Sequence, residues 1–376
     1  MLKVYGVTYD HAGNYGSFAQ SYALSEAISK ISIQGEKCDY RIIPVAYFPF
    51  RRISMPYSKL PRFVKKLLRY FVELLIHSHF SQFNKKYMKY ADCKDEVQLA
   101  DLSRTADAFV CGSDVVWNLY FNWGNPIYFL GFTEKYKFSY AASFGGMKYS
   151  DKADEMYRLY LPRFRSIGVR EKSAVDIVRK YAKDVPTEVN VDPVLLLNRE
   201  EWERVIPADR ETRKYILAYN THITPNYTRM IERIKQQTGL PVINVTCSLT
   251  MIIKQGAFRV PSPERWLQLI RDAEYIVTNS FHGTAFSVLF NKTFFTTTEG
   301  TGKAFGYNVR IYDFLDMLGL SDRVCNAVPE QLDLSCPDFS KANETLLTLR
   351  EESMQFLQKN IEAAWREKQR LEQKGQ

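Results

Sequence analysis

The sequence predicts an α/β protein built of two domains, and three observations carry that expectation. Short β-rich runs alternate with helical patterns, the signature of mostly parallel sheets. Several of those runs end in small polar loops, where open parallel sheets bind ligands. After a polar stretch near residues 198–214 ("NREEWERVIPADRETRK"), the alternation begins again with "YILAYN". The expected layout is therefore an α/β domain over 1–200, a second over 210–330 and a C-terminal helix over 339–376.

In the first domain "LKVYGVTY" (Leu2–Tyr9) reads as a strand, and "SFAQSYALSEAISK" as a helix packed on the sheet. Further strands are expected at Lys37–Ile43, Ala106–Cys111, Phe138–Ala142, Ser166–Val169 and Glu188–Val191. The second domain alternates strands at Tyr215–Tyr219, Val242–Thr246, Tyr275–Thr278 and Thr293–Thr297 with helices at Asn226–Thr238, Pro263–Asp272 and Gly283–Phe290. In the C-terminal helix Leu347, Met354, Leu357, Ile361 and Trp365 fall on one stripe at helical spacing.

Composition excludes several classes. No apolar run approaches the ~20 residues that span a bilayer. The six cysteines show no CxxC and no short Cys/His pairing, which argues against a zinc site or a disulfide framework. Reduced thiols, and a first strand that starts almost at residue 1 without a signal-peptide layout, give the expectation of a cytoplasmic protein. The formal charge of +9 is local: residues 51–90 hold ten Lys/Arg and one acid, leaving 41 basic against 41 acidic residues elsewhere. That distribution excludes a globally basic nucleic-acid binder.

Within the basic segment, "KLPRFVKKLLRYFVELLIH" carries an apolar stripe of Phe63, Leu67, Leu68, Phe71, Leu74 and Leu75 beside Arg62, Lys65, Lys66 and Arg69. It reads either as an amphipathic helix packed on the domain or as one resting on the anionic inner face of a membrane.

Four loops are candidates for chemistry. In "DHAGNYGSFAQ", Asn14, Gly16 and Ser17 stand at a helix N-terminus whose N–H groups and dipole suit an anion, although Ser17 could simply cap the helix. "FVCGSDVVWN" ends a strand in Ser113 and Asp114; Asp114 can orient a sugar hydroxyl, accept a proton, or close an Asx-turn. "SIGVREKSAVDIV" sets Arg170 after a strand, where its fork suits a carboxylate or phosphate, or a plain exposed ion pair. "VTNSFHGTAFSVLF" places Ser280, His282, Gly283 and Thr284 at a strand-to-helix switch, with Gly283 allowing close approach of a ligand. "VNVDPVLLL" reads mostly as a turn at Asp192 before a buried run. Asp114 and Asp192, on separate strands, do not make a metal cage, and no metal is expected.

Taken in order, "NYGSFAQSYAL", "VCGSDVVWN", "SYAASFG", "GVREKSAV", "VDPVLLL" and "VTNSFHGTAFSVLF" resemble the motifs of the polysaccharide pyruvyl transferase family, over residues 3–320. The resemblance implies a GT-B-like pair of Rossmann-like domains with the active site in the interdomain cleft. It implies a transferase that moves pyruvate from phosphoenolpyruvate onto two sugar hydroxyls as a ketal, in cell-surface polysaccharide assembly. The donor is a substrate, and no cofactor is implied. The acceptor is a nucleotide-linked or lipid-linked sugar; a lipid-linked one would give the basic segment a role at the membrane. Arg170 matches the family's Arg-Glu motif and would grip the donor. His282 matches its His-Gly motif and would move protons or stabilise the departing phosphate.

One position departs from the pattern. Several members carry an Arg two residues before the His, where this chain has Ser280. Lys303 or Arg310 could supply the missing cation. The departure also keeps open a nucleotide-sugar-dependent glycosyltransferase on the same fold, or a non-catalytic binding member.

Overall fold

The computed structural model describes residues 1–10, 14–45, 62–122, 124–146, 150–246, 259–298 and 308–374, with the backbone alone at 62–73 and 121. Lys303 and residues 51–61 of the basic segment lie outside the described residues.

The first half forms β1 (Lys3–Val7), β2 (Ser32–Ile33), β3 (Glu36–Lys37), β4 (Asp39–Ile42), β5 (Ala108–Cys111), β6 (Tyr136–Ala142), β7 (Ser166–Val169) and β8 (Thr187–Val189). Apart from the small β2–β3 hairpin these make one parallel six-stranded sheet in the order β4-β1-β5-β6-β7-β8. The second sheet holds β9 (Ile216–Tyr219), β10 (Val242–Val245), β11 (Tyr275–Thr278), β12 (Thr293–Thr297) and β13 (Val324–Cys325) in the order β10-β9-β11-β12-β13, again parallel.

Both sheets are doubly wound, and both follow the flavodoxin-type order in which the first strand lies between the second and third of its series. The winding therefore reverses beside β1 and β5 in one domain and beside β9 and β11 in the other. Ligand crevices open at such reversals, beyond the strand carboxyl ends. β5 and β6 are buried at every position because helices cover both faces of the sheet.

Helices α1 (Tyr15–Lys30), α2 (Arg62–Tyr87), α3 (Glu96–Thr105), α4 (Leu119–Asn122), α5 (Asp151–Tyr160), α6 (Lys172–Tyr181) and α7 (Arg199–Glu203) accompany the first sheet. Those of the second are α8 (Pro225–Thr238), α9 (Pro263–Asp272), α10 (Phe281–Leu289) and α11 (Val309–Met317), before the long α12 (Ser340–Lys374).

The two domains are held together through α1, which is buried along nearly its whole length. Tyr15 stacks on Trp266 of α9 with ring centroids 5.0 Å apart and planes 9° from parallel. Its hydroxyl donates to the Pro261 carbonyl at 2.7 Å. Trp266 in turn meets Phe286 edge-on at 5.3 Å, and Phe286 meets Trp202 at 4.9 Å. Such ring pairs add about 0.5–1.5 kcal/mol each beyond their buried area. The aromatic seam thus ties α1 of the first domain to α9 and α10 of the second.

α12 returns to the first sheet. The Asn360 amide oxygen accepts from Tyr136 and Ser166, and Ser353 accepts from the Val191 N–H. The expected stripe holds at Leu357 and Ile361, which are fully buried. Leu347 is a correction: it is 52 % exposed, and its neighbour Leu346 turns inward instead. On a helix a single-residue shift of face, about 100°, separates the two.

α2 divides into two parts. Ile76, Phe80 and Phe83 pack inward, with Phe83 edge-on to Phe18 at 4.0 Å, whereas Leu74 and Leu75 stay 51 % and 45 % exposed. No helix among the described residues is long and apolar enough to cross a membrane.

Candidate active site

Three loops of the first sheet and one helix start of the second converge on a buried charged cluster. Arg170 follows β7, Asp192 follows β8, Asp114 follows β5, and His282 lies in the first turn of α10, just past β11. All four side chains are at least nine-tenths buried.

Arg170 Nη1 donates to Asp192 Oδ2 at 2.7 Å. The same oxygen lies 3.4 Å from His282 Nε2 and accepts from Ser113 Oγ at 3.4 Å. One carboxylate of the first domain therefore meets a guanidinium of its own sheet and an imidazole of the other. Asp114 stands 3.9 Å from Arg170 and 3.8 Å from Arg310, and it accepts from Ser17 Oγ at 2.8 Å. Its backbone is left-handed, at φ 71°, a conformation that Asp tolerates and that turns the carboxylate into the cleft. Phe281 forms a platform for both cations: Arg170 lies 4.7 Å and Arg310 5.8 Å from its ring centroid.

The electrostatics follow from this packing. Burial alone would raise the Asp192 carboxyl, but His282 and Arg170 outweigh it and hold the group well below the usual carboxylate range. Asp114 is lowered in the same way, against burial, by His282, Arg170 and Arg310. For Arg170, burial opposes the charge, yet Asp192, Asp114 and Glu171 raise its pKa further. The guanidinium keeps two donors, Nε and Nη2, without a hydrogen bond. Buried donors left unmade are costly, and each calls for an explanation, a water or a bound group among them.

Gly16 shows how tightly the two domains meet. A Cβ at this position would overlap the imidazole of His282. Only the absence of a side chain lets the ring lie against the start of α1.

The remaining expected residues divide. Asn14 caps α1, its amide oxygen accepting from the N–H groups of Gly16 at 3.0 Å and Ser17 at 3.2 Å. Those two N–H groups, expected to await an anion, are thus already engaged, and the useful atom of Ser17 is its hydroxyl on Asp114. Ser113 donates to the Ala141 carbonyl at 2.8 Å and backs Asp192. Ser280 is the N-cap of α10, accepting from the Gly283 N–H at 3.4 Å. Gly283 corrects the expectation of ligand access: Thr278 and Tyr219 fill the space where its side chain would be, so it serves close packing of α10 on the sheet. Thr284 likewise turns inward, bonding the Ser280 carbonyl at 3.0 Å and Thr296 at 2.8 Å. Arg310, on α11, joins the cluster.

Three contributors escaped the sequence reading. Asp192 does close a turn, accepting from the Val194 N–H through one oxygen, but its other oxygen joins the two domains. Glu171 accepts from Ser143 Oγ and the Phe144 N–H, fixing the neighbouring loop. Phe281 is the platform. The signal for the last two was adjacency: Glu171 follows Arg170, and Phe281 precedes His282.

With this geometry in hand, the family model for polysaccharide pyruvyl transferase matches residues 14–298, most of the chain and every residue of the cluster except Arg310. The chain belongs to the polysaccharide pyruvyl transferase family. That makes it a member of a transferase family, with its charged cluster at the meeting of the two domains. A search of curated proteins found no match. Among solved structures, the chain is similar to MnaA from S. aureus in a UDP co-structure (9 % identity, 96 % of this chain and 91 % of that one, TM-score 0.48). It is also similar to UDP-GlcNAc 2-epimerase from Neisseria meningitidis bound to UDP-GlcNAc (10 %, 96 % and 94 %, TM-score 0.46). A third similarity is to the E. coli ADP-heptose lps heptosyltransferase II (12 %, 93 % and 99 %, TM-score 0.39).

Proposed function

We propose that this chain transfers pyruvate from phosphoenolpyruvate to a pair of sugar hydroxyls, forming a ketal in cell-surface polysaccharide assembly. One observation carries the reading: Arg170, Arg310 and His282 converge in a water-poor cleft, and Arg170 keeps two buried donors unbonded. Phosphoenolpyruvate carries a carboxylate and a phosphate, and a guanidinium fork is matched to either.

In this proposal Arg170 grips the donor, and Arg310 supplies the cation that Ser280 does not. His282 gives a proton to C3 of the enol, and C2 becomes electrophilic. The first sugar hydroxyl bonds to C2, and its proton passes to Asp114. The C2–O bond to phosphate then breaks with both electrons leaving on oxygen, while the second hydroxyl bonds to C2 and its proton ends on phosphate. The proton on Asp114 returns to His282, so donor and diol become ketal and inorganic phosphate. General acid–base help of this kind is worth roughly 10²–10⁴ in rate. Asp192 holds the imidazole and the guanidinium in register.

The cavity beside Arg170 and Arg310 measures about 30 Å³, room for a water but not for the donor. Donor entry therefore goes with a parting of the domains along the aromatic seam. We place the enzyme in the cytoplasm, with exposed Leu74 and Leu75 of α2 directed to the inner membrane face when the acceptor is lipid-linked.

Phosphate release from phosphoenolpyruvate, measured with candidate acceptors, tests the proposal. Loss of turnover in both Arg170→Ala and His282→Ala is expected; unchanged turnover in both would remove the mechanism. Ser280 in the place of an arginine favours one competing reading, a nucleotide-sugar donor. Stabilisation of the fold by nucleotide-sugars and not by phosphoenolpyruvate would support that reading instead.

A further inference from the structure

A second cavity lies at the same carboxyl edge of the first sheet, outside the charged cluster. It measures about 390 Å³ and opens over the ends of β1 and β4. Asp10 enters it from the loop after β1, and Pro44 and Val45 from the loop after β4. α2 lines it with His77, Phe80, Asn84 and Lys85, and Tyr90 also borders it. Its volume falls in the range of small-molecule sites, and its lining mixes apolar area with a few convergent polar groups.

Its position relates it to the charged cluster. β1 and β5 are neighbouring strands, so Asp10 and Asp114 stand on adjacent loops at the winding reversal of the first sheet. Phe80, in the wall, packs on Tyr15 with centroids 5.3 Å apart. Tyr15 is the residue before Gly16, against which His282 lies. The start of α1 thus lies beside both spaces.

We infer that this cavity is the acceptor subsite, taking the sugar of a glycosyl diphosphate with Asp10 and Asn84 on its hydroxyls and Lys85 and His77 toward its phosphates. The inference rests on the pyruvyl-transfer reading and deepens it. Sugar hydroxyls need acceptors as well as donors, and Asp10 accepts while the Asn84 amide does both. An ammonium on α2 complements a diphosphate in either a nucleotide or a lipid carrier. Burial pushes the Asp10 carboxyl up to about 6 even though the Tyr90 hydroxyl donates to it. A carboxylate in that setting gains from each further hydroxyl that reaches it.

The test is calorimetric titration of the full chain with UDP-hexoses, with farnesyl-diphosphate-linked hexoses and, separately, with phosphoenolpyruvate. The variants are Asp10→Asn and, at a more accessible wall position, Asn84→Ala. Both should weaken glycosyl diphosphate binding at least tenfold and raise the acceptor KM, with phosphoenolpyruvate affinity changed less than twofold. Whichever carrier binds the wild type more tightly identifies the acceptor class. Folded variants that bind the glycosyl diphosphates as the wild type does would overturn the subsite, as would a wild type that binds phosphoenolpyruvate and no glycosyl diphosphate. Glycosyl diphosphate binding lost in the variants, with no phosphoenolpyruvate binding in the wild type, would uphold the subsite and sink the donor reading alone.

Discussion

His282 Nε2 lies 3.4 Å from Asp192 Oδ2, so an imidazole on the second domain stands within ion-pairing distance of a carboxylate from the first. The same oxygen accepts from Arg170 at 2.7 Å. A change at Asp192 therefore reaches the anion-gripping group and the proton-moving group together.

Asp192→Asn keeps the shape and removes the charge. It leaves Arg170 buried with only the more distant Asp114 and Glu171, each 3.9 Å away, to balance it. Breaking a buried pair from one side costs about 3–5 kcal/mol, and a urea melt of the variant should show a loss near the lower end. Turnover should fall by roughly 10²-fold or more, in line with the loss of an oriented acid–base group. The stability difference also has a pH signature. The folded Asp192 carboxyl sits below its unfolded value, so its contribution is complete above about pH 4 and fades as pH falls through the acid range. Melts of wild type and variant should converge there.

Arg170→Lys separates charge from geometry. The ammonium keeps the charge but loses the planar fork that leaves two donors for the ligand. The KM for phosphoenolpyruvate should rise about tenfold or more, with a smaller loss of stability than in Arg170→Ala. An unchanged KM would remove the fork from donor binding.

Gly16→Ala tests the contact between α1 and the imidazole. Its methyl group would force His282 away from Asp192 or the domains apart. Overpacking of this kind costs typically about 1–3 kcal/mol. A fall in kcat of at least tenfold is expected while the thermal midpoint drops only a few degrees; a variant with full activity would show that the ring does not need this seat.

Asp10 should behave in the opposite sense to Asp192. Its folded carboxyl is raised from 3.8 to about 6, chiefly by burial. Between those values the unfolded chain has lost the proton and the folded chain still holds it. Stability attributable to Asp10 therefore falls as pH rises from about 4 to about 6 and is flat above. Asp10→Asn should remove that slope, gaining on the wild type at pH 7 relative to pH 4.5 in thermal melts.

Much of the architecture was legible because parallel strands covered on both faces leave unbroken apolar runs. "SIGV" at β7, "YIVT" at β11 and "TFFTT" at β12 begin and end where the sequence puts them. Arg170, Asp114 and His282 were legible for a related reason: a strand end running into a polar residue and then a helix is a local pattern. Asp192 was not, because its turn hydrogen bond is local and its contacts with Arg170 and His282 are not. The inward turn of Gly283 escaped for the same reason, since nothing beside it in the chain announces Thr278 and Tyr219. The switch from Leu347 to Leu346 depended on the path of α12 over the first sheet, which helical spacing alone does not specify.

The most direct test is a crystal structure of the protein with phosphoenolpyruvate bound. The account predicts the donor between the domains, with an acidic group within hydrogen-bond distance of Arg170 Nε or Nη2 and His282 beside the enol carbon. A donor bound elsewhere, with that guanidinium still held only by Asp192, would contradict it.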